Sequence, residues 1–448
     1  MGINQTMKIL GIIAILIFGY LITSSIWQKK PVLENLAYGY LIGWPIFTIA
    51  LFIAQLLGLR FGLWESSLLL LILICLTLII RIILKIPLTI MQKSRNKNNF
   101  TQLEYLLIIL ISFLLASSLL SDTYRVVSEW DALTLYDFRA KLFAQFGGMR
   151  EAMLAQGSYF NSYPLHTSLV HMWYYLLGFL SPMTYYGGIF VSFVITFYYS
   201  ARRVSSRIIS LLAALMLILS PHLFWHSQIA YTNLPYTISL VMGTILIIEW
   251  VKNDKISDLA VGALLTGVSV WIRHPEPFWM TNILIVLGAS LYKRRFHPII
   301  LYLTLFLPFE RIWKLFIANV NKTVAPQPLA DISGGIITVA NLSTIPILLS
   351  VVEFLVRNVF RLFIPVFIIY FCVIIWKLVR KDKFWLAELI ILLNLGLLVS
   401  GTLLFAITQP YWQEIPGSLE RIAIIFAPLI LYSFVRAVEK IKIRQQLV

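Results

Sequence analysis

The sequence predicts an all-α polytopic integral membrane protein with about thirteen transmembrane helices. Hydrophobic residues make up 59% of the chain and charged residues 12%, and the mean hydropathy is +0.85, far outside the range of soluble domains. Apolar runs of about 20 residues, the length needed to cross the hydrocarbon core, recur along the whole chain. Basic residues gather in short clusters between these runs, as in membrane proteins. The runs are too long and unbroken for barrel strands, so helices are expected.

The apolar runs define the order of the spans. Two further apolar segments, 164–180 and 343–358, are predicted to be helices at the membrane surface. Counting 164–180 as a span would put the basic cluster at 202–207 outside. The predicted spans are residues 7–27, 36–58, 66–86, 103–121, 183–201, 208–226, 235–251, 258–272, 277–292, 298–316, 361–378, 385–407 and 421–438.

The basic clusters predict the orientation. With the long loop 122–163 outside, every loop on the other side carries Lys or Arg, as the positive-inside rule requires. The N-terminus is therefore expected outside and the C-terminus in the cytoplasm. The same distribution accounts for the net charge of +16 without a nucleic-acid partner. The clusters are Lys29–Lys30, Lys93–Lys97, Arg202–Arg207, Lys252–Lys255, Lys293–Arg295, Lys377–Lys383 and Arg436–Arg444.

The external loop 122–163 holds the most informative polar residues. Glu129 and Asp131 precede a predicted amphipathic helix that ends at Gly147-Gly148. Such a helix would hold both carboxylates at headgroup depth, although they could instead cap the helix and pair with Arg139. Its apolar stripe is Leu135, Phe138, Leu142 and Phe146, and its polar stripe is Thr134, Asp137, Lys141 and Gln145.

Four further segments are predicted to bring polar residues to the outer face, where ionisable groups near lipid are candidates for function. His222 and His226 stand four residues apart and could chelate a divalent metal, but no third ligand is near in sequence. Cys75 and Cys372 fall inside spans and support neither a disulfide framework nor a cysteine metal site. The candidates are Tyr163, His166, His171, Asn233, Arg273, His274, Glu276, Glu420 and Arg421, with Lys322 and Asp331 less specific.

Taken in chain order and placed on the outer face, these segments resemble the GT-C superfamily of polyprenyl-phosphate-sugar glycosyltransferases. Protein O-mannosyltransferases and the lipid A aminoarabinose transferase belong to it. The resemblance covers about residues 105–435, so residues 1–102 are expected to be an N-terminal three-span addition to a catalytic domain, 103–448. Asp131 in Glu-Trp-Asp-Ala-Leu matches the place of the catalytic base in that family, with Glu129 second.

Other positions carry the resemblance further along the chain. Tyr163-Pro164-Leu165-His166 is similar to the family's entry to a surface helix, and Arg273 with Glu276 to its basic residue before a span. Arg421 resembles the arginine that begins the final helix. Asn233 departs from the pattern, since the family often has an acidic residue there.

The resemblance implies a sugar transfer on the external face, from a polyprenyl-phosphate donor to a hydroxyl of a glycan, lipid or protein, with inversion. Asp131 or Glu129 would be the base. The donor phosphate would bind Arg273, Arg421 and Lys141. The substrate pocket would comprise Tyr163, His166, Asn233, His274, Glu276 and Glu420. No cofactor is implied with certainty.

Three other functions remain open. A lipid-linked polysaccharide polymerase or ligase typically has its functional loop late in the chain, whereas the longest loop here comes early. A transporter or flippase should place ionisable residues near the bilayer midplane, whereas these gather at one surface. A structural membrane subunit is the third. A nucleotide-sugar donor is not expected, because the sequence has no P-loop, no Gly-x-Gly-x-x-Gly and no soluble domain.

Overall fold

The computed structural model describes residues 5–87, 100–274, 276–320, 345–381, 385–409, 412–414 and 416–445. Within these ranges the chain is helical and forms no strand. The α-helices are α1 Gln5–Ile26, α2 Val32–Leu56, α3 Leu63–Ile83, α4 Gln102–Tyr124, α5 Phe138–Phe146, α6 Arg150–Gln156, α7 His166–Leu176, α8 Met183–Arg202, α9 Arg207–Ile218, α10 Pro221–Ser227, α11 Asn233–Asn253, α12 Ile256–Ile272, α13 Trp279–Tyr292, α14 His297–Val320, α15 Ile345–Phe354, α16 Ile364–Val379, α17 Leu386–Thr408, α18 Pro416–Ala423 and α19 Phe426–Gln445.

Seven of the described helices are long and apolar enough to cross a membrane, or up to nine if two bent pairs each form one span. The bent pairs are α9 with α10, at 64°, and 345–359 with α16, at 115°. This agrees with the predicted class, an all-α multi-pass membrane protein. Each of the thirteen predicted spans overlaps a helix, but α12 has 17 residues and α13 only 14, shorter than a typical span.

Burial separates central helices from peripheral ones. In the most apolar stretch of each helix, 94% of residues are buried in α11 and 72% in α2, against 17% in α3 and 22% in α4. Thr48 of α2 accepts a hydrogen bond of 3.0 Å from the Trp271 indole of α12. α2 therefore lies at the centre of the helix bundle.

Three glycines bring α1 and α2 into close contact. A Cβ atom at Gly19 would lie 1.9 Å from the Gly39 carbonyl oxygen, and one at Gly39 would lie 2.6 Å from the Tyr20 nitrogen. A Cβ at Gly43 would meet the Ile15 carbonyl oxygen at 2.9 Å. Small residues allow this approach in membranes, where helix association depends on packing rather than on the hydrophobic effect.

Ion pairs join several helix turns at one end of the bundle, which we call the basic end. They connect the turns between α1 and α2, α8 and α9, α11 and α12, and α13 and α14. Lys93, Arg95, Lys97 and Lys383 of the predicted cytoplasmic clusters lie outside the described residues. The pairs are Lys30–Asp258 (3.2 Å), Arg203–Glu34 (2.6 Å), Lys293–Asp254 (3.0 Å), Arg295–Asp254 (2.6 Å) and Arg207–Glu104 (3.2 Å).

The opposite end of the bundle carries the residues that follow α4 and precede α11 and α19. α11 begins there at Asn233 and ends at Asn253 beside the basic end, and α12 runs back to Ile272. We call it the acid–arginine end, because Asp131 and Arg421 meet there. Residues 321–344, which hold Lys322 and Asp331, lie outside the described residues, and so does residue 275. The other residues of the predicted outer segments are described.

The helix in the long loop differs from its predicted orientation. A π-helical turn, Ala132–Asp137, continues into α5, which ends at Gly147 with φ +71° as predicted. The predicted apolar stripe is wrong in part: Leu135 is buried as expected, but Phe138 and Phe146 are exposed, whereas Asp137 and Arg139 are buried. Polar side chains of this helix are buried because they have polar partners inside the protein. Arg139, for example, donates to the carbonyl oxygens of residues 160 and 163 and to the side chain of residue 156.

The glycine contact predicts that Gly39→Ala destabilises the protein by about 1–3 kcal/mol, because the new methyl group forces α1 and α2 apart. The measurement is the thermal unfolding of the purified protein in nanodiscs. Gly396→Ala in α17 is the control, since nothing lies within 4 Å of a Cβ there. Equal stability of the two variants would contradict the packing.

Candidate functional site

An ion pair across 290 positions of the chain forms the centre of the candidate site. Arg421 Nη1 donates to Asp131 Oδ2 at 2.9 Å, so the start of the loop helix meets the helix before the last span. Both side chains are partly exposed, Asp131 by 37% and Arg421 by 22%. The pair therefore contacts solvent at the acid–arginine end. The resemblance implied that these two residues serve one reaction on the external face, and they are in direct contact.

The other donors of Arg421 are held by its own helix. Its Nε donates to the Gly417 carbonyl oxygen at 3.1 Å, and its Nη2 donates to the Ser418 hydroxyl at 3.1 Å. The guanidinium also lies over the Tyr231 ring, 4.9 Å from the centroid. Burial, and then the negative charge of Asp131, raise the pKa of Tyr231. The planar group is thus fixed in orientation, as recognition of a carboxylate or phosphate requires.

A second pair lies beside the first. Glu420 Oε1 is 3.1 Å from His222 Nε2, and the imidazole stacks on Phe363 at 4.9 Å between ring centroids. Glu420 and Arg421 are adjacent in α18. This helix therefore contacts α10 through Glu420 and the loop helix through Arg421. His222 therefore pairs with a carboxylate, rather than with His226 around a metal.

Arg273 and Glu276 form a third group, at the end of α12. Arg273 Nε donates to Glu276 Oε1, and Arg273 Nη1 donates to the Thr232 hydroxyl at 3.2 Å. The guanidinium lies 5.2 Å from the centre of the Tyr163 ring. Burial acts against its charge, but Glu276, Tyr163 and Tyr136 together outweigh burial and raise the pKa of Arg273 above its usual value.

Two consecutive residues link the arginine groups. Arg421 stacks on Tyr231, and Arg273 donates to Thr232, just before α11 begins. Tyr136 of the loop helix also lies 3.2 Å from the Thr232 hydroxyl, oxygen to oxygen. The loop between α10 and α11 therefore connects Asp131, Arg421 and Arg273 at one end of the bundle, as the sequence predicted.

His166 is not at the outer surface. Its side chain is fully buried; Nδ1 lies 2.8 Å from the Thr48 hydroxyl and Nε2 lies 2.8 Å from the Tyr185 hydroxyl. The predicted surface helix 164–180 is also wrong, because α7 is buried from His166 to Tyr174. The aromatic residues that suggested an interfacial helix pack against α2 instead: Trp173, for example, meets the ring of Phe47 at 5.2 Å.

Lys141 belongs to another group. Its ammonium lies 2.8 Å from Asp137 Oδ2, and Tyr175 donates to Asp137 Oδ1. His171 Nδ1 is 3.3 Å from the same oxygen, and its Nε2 is 2.9 Å from the Tyr186 hydroxyl. Lys141 is therefore paired with a buried carboxylate of its own helix, whereas it was expected beside the two arginines.

Asp137 was overlooked as a key residue because it falls on the polar side of a helical pattern. It is only 1% exposed. Burial acts against its charge, but the hydrogen bond and charge of His171, with the hydrogen bonds of Lys141 and Tyr175, lower the pKa of Asp137 to about 2. His171 was named only as an outer residue. No local signal connects Asp137 with a helix that begins near position 166.

The remaining predicted residues lie around the two arginine groups. Glu129 is partly buried and acts electrostatically on Tyr231. Asn233 is 4% exposed and is the first residue of α11. His274 follows Arg273, and burial lowers the pKa of its imidazole. Among the described residues, no three His, Cys, Asp or Glu side chains are grouped closely enough to hold a metal ion.

Comparisons of this chain with protein-family models, curated proteins and solved structures find no match.

The Asp137 group predicts that Asp137→Ala destabilises the protein by about 3 kcal/mol, because it leaves the buried His171 and Tyr175 without their partner. The lowered pKa adds a pH dependence: the stabilisation is present above about pH 4 and is lost as the pH falls toward 2. Thermal unfolding in nanodiscs at neutral pH is the measurement.

Lys141→Ala is the matched control for that variant. It removes the exposed partner of the same ion pair and should lower the free energy of unfolding by less than about 1 kcal/mol. A loss of stability as large as that of Asp137→Ala would show that the exposed lysine, not the buried contacts, holds the loop helix.

Proposed function

We propose that this protein is a membrane glycosyltransferase. It transfers a sugar from a polyprenyl-phosphate donor to an acceptor hydroxyl, at the acid–arginine end and with inversion. The observation that carries the proposal is the contact between Asp131 and Arg421. A partly exposed carboxylate and a guanidinium of fixed orientation are the base and the anion-binding group that such a transfer needs.

The ion pair offers a way to couple donor binding to the base. A phosphate has acceptor oxygens that compete with Asp131 for the N–H groups of Arg421. When the donor phosphate takes that position, the Asp131 carboxylate loses its partner and becomes available to an acceptor hydroxyl. Donor binding thus prepares the base.

The transfer step then follows from these two groups. Asp131 accepts the proton of the acceptor hydroxyl while the acceptor oxygen forms a bond to the anomeric carbon. The bond between that carbon and the phosphate oxygen breaks, and the electron pair leaves with the polyprenyl phosphate. Arg421 stabilises the charge that develops on the phosphate. Arg273 is held by Glu276 and Thr232, so we assign it to positioning rather than to the leaving group.

The charge at this end favours a monophosphate donor over a diphosphate donor. Among the described residues of the two arginine groups, four carboxylates accompany two guanidinium groups. Both guanidinium groups are already paired with a carboxylate, so a second phosphate would meet repulsion. This disfavours the polymerase or ligase alternative, whose donor is linked through a diphosphate. The residues counted are Glu129, Asp131, Glu276, Glu420, Arg273 and Arg421.

The proposed membrane arrangement is thirteen spans: the seven long apolar helices, both bent pairs, the short α12 and α13, and α8 and α14. The basic end faces the cytoplasm and the acid–arginine end faces outward, because clusters of Lys and Arg remain on the cytoplasmic side. The N-terminus is then outside and the C-terminus inside. Asp131 and Arg421 lie at headgroup depth, where a prenyl lipid carries its phosphate.

The proposal predicts that Asp131→Asn abolishes sugar transfer without loss of folded protein, since an amide cannot accept the proton. Cells that lack the protein are complemented with wild type or variant, and their surface glycans are compared by mass spectrometry. A sugar that wild type restores should be absent with Asp131→Asn.

Asp254→Asn is the matched control, because Asp254 pairs with Arg295 at 2.6 Å at the basic end. It should restore the sugar as wild type does. A sugar restored by Asp131→Asn would remove this residue from the mechanism. An unchanged glycan profile in cells without the protein, with altered solute uptake, would favour a transporter.

A further inference from the structure

Besides His274 Nε2, two buried polar atoms near Arg273 have no hydrogen-bond partner among the described residues. One is the hydroxyl of Tyr236, in the first turn of α11, whose side chain is 2% exposed. The other is Glu276 Oε2, on a residue that is 6% exposed. Most buried polar groups in proteins are paired, because leaving them unpaired is unfavourable. Two such atoms at the edge of a candidate site therefore indicate a ligand.

The two atoms belong to one location. Glu276 and Arg273 are the charged groups that act electrostatically on the Tyr236 hydroxyl. Arg273 holds the other oxygen of Glu276 and fixes the direction of that carboxylate. Thr232, which also binds Arg273, precedes Tyr236 by one helical turn. The hydroxyl and the carboxylate oxygen thus both belong to the surroundings of the Arg273 guanidinium.

The chemistry of these groups specifies the ligand. An ionised carboxylate oxygen only accepts hydrogen bonds, whereas a phenol hydroxyl can donate one. A ligand hydroxyl satisfies both, since it donates to Glu276 and accepts from Tyr236. An ammonium group fits less well, because it cannot accept from Tyr236 and the Arg273 guanidinium would repel it. The site therefore suits a neutral polyol.

We infer that Glu276 and Tyr236 form the subsite that binds a hydroxyl group of the transferred sugar and selects among sugars. This inference rests on the proposed function and divides the site into two parts. Arg421 and Asp131 hold the phosphate and the acceptor, and the group around Arg273 holds the sugar. Tyr163, whose ring lies 5.2 Å from the Arg273 guanidinium, provides an aromatic face beside it.

Binding of short prenyl-phosphate probes to the full-length protein in nanodiscs tests the subsite. The probes are farnesyl phosphate and farnesyl phosphates that carry glucose, mannose or galactose. Wild type should bind at least one sugar-bearing probe about tenfold more tightly than farnesyl phosphate, as two well-placed hydrogen bonds allow. Tyr236→Phe should lose this preference while the affinity for farnesyl phosphate itself stays unchanged, and Glu276→Gln should also lose the preference.

Tyr302→Phe is the matched control, because the side chain of Tyr302 is equally buried but lies near the basic end, on α14. It should keep the preference. A preference that survives Tyr236→Phe, or a wild type that binds all probes equally, would overturn the subsite. The proposed function would still stand if farnesyl phosphate binding depends on Arg421. A wild type that binds no probe would overturn both.

Discussion

The cost of placing a charge in a hydrocarbon environment is the constraint on which this structure depends. Ionisable groups in membranes must pair or reach an interface, and this chain does both. Ion pairs gather at the two ends of the helix bundle, such as Arg203 with Glu34 at the basic end and Arg421 with Asp131 at the other. The helices between them are held by apolar packing, by the close glycine contact of α1 with α2 and by buried hydrogen bonds such as that from Trp271 to Thr48.

The two ends differ in how their charges are used. At the basic end, Lys30 lies between Glu34 and Asp258, both 3% exposed, so the carboxylates are enclosed and the pairs connect turns. At the acid–arginine end, Asp131 and Arg421 remain partly exposed and belong to segments far apart in the chain. A buried pair stabilises its surroundings only when it is fully satisfied, whereas an accessible pair can exchange partners with a ligand. That difference favours a binding role for the acid–arginine end.

The sequence predicted the helices and placed Asp131 and Arg421 on the same face, but it did not predict the orientation of the loop helix. Long apolar runs and basic clusters are local signals, so the helix positions followed from them directly. The partners of Asp137 and His166 come from other helices, and no periodic pattern shows whether a polar side chain will find a polar partner inside. For that reason Asp137 was expected in solvent, and His166 was expected at the surface rather than between Thr48 and Tyr185.

Cysteine accessibility in intact cells tests most directly whether the acid–arginine end faces outward. With Cys75 and Cys372 replaced by serine, single cysteines are placed at Leu180, 96% exposed before α8, and at Arg295 in the basic-end turn. A membrane-impermeant maleimide should label position 180 in intact cells and position 295 only after permeabilisation. Labelling of position 295 in intact cells, or of both positions from the same side, would contradict the account.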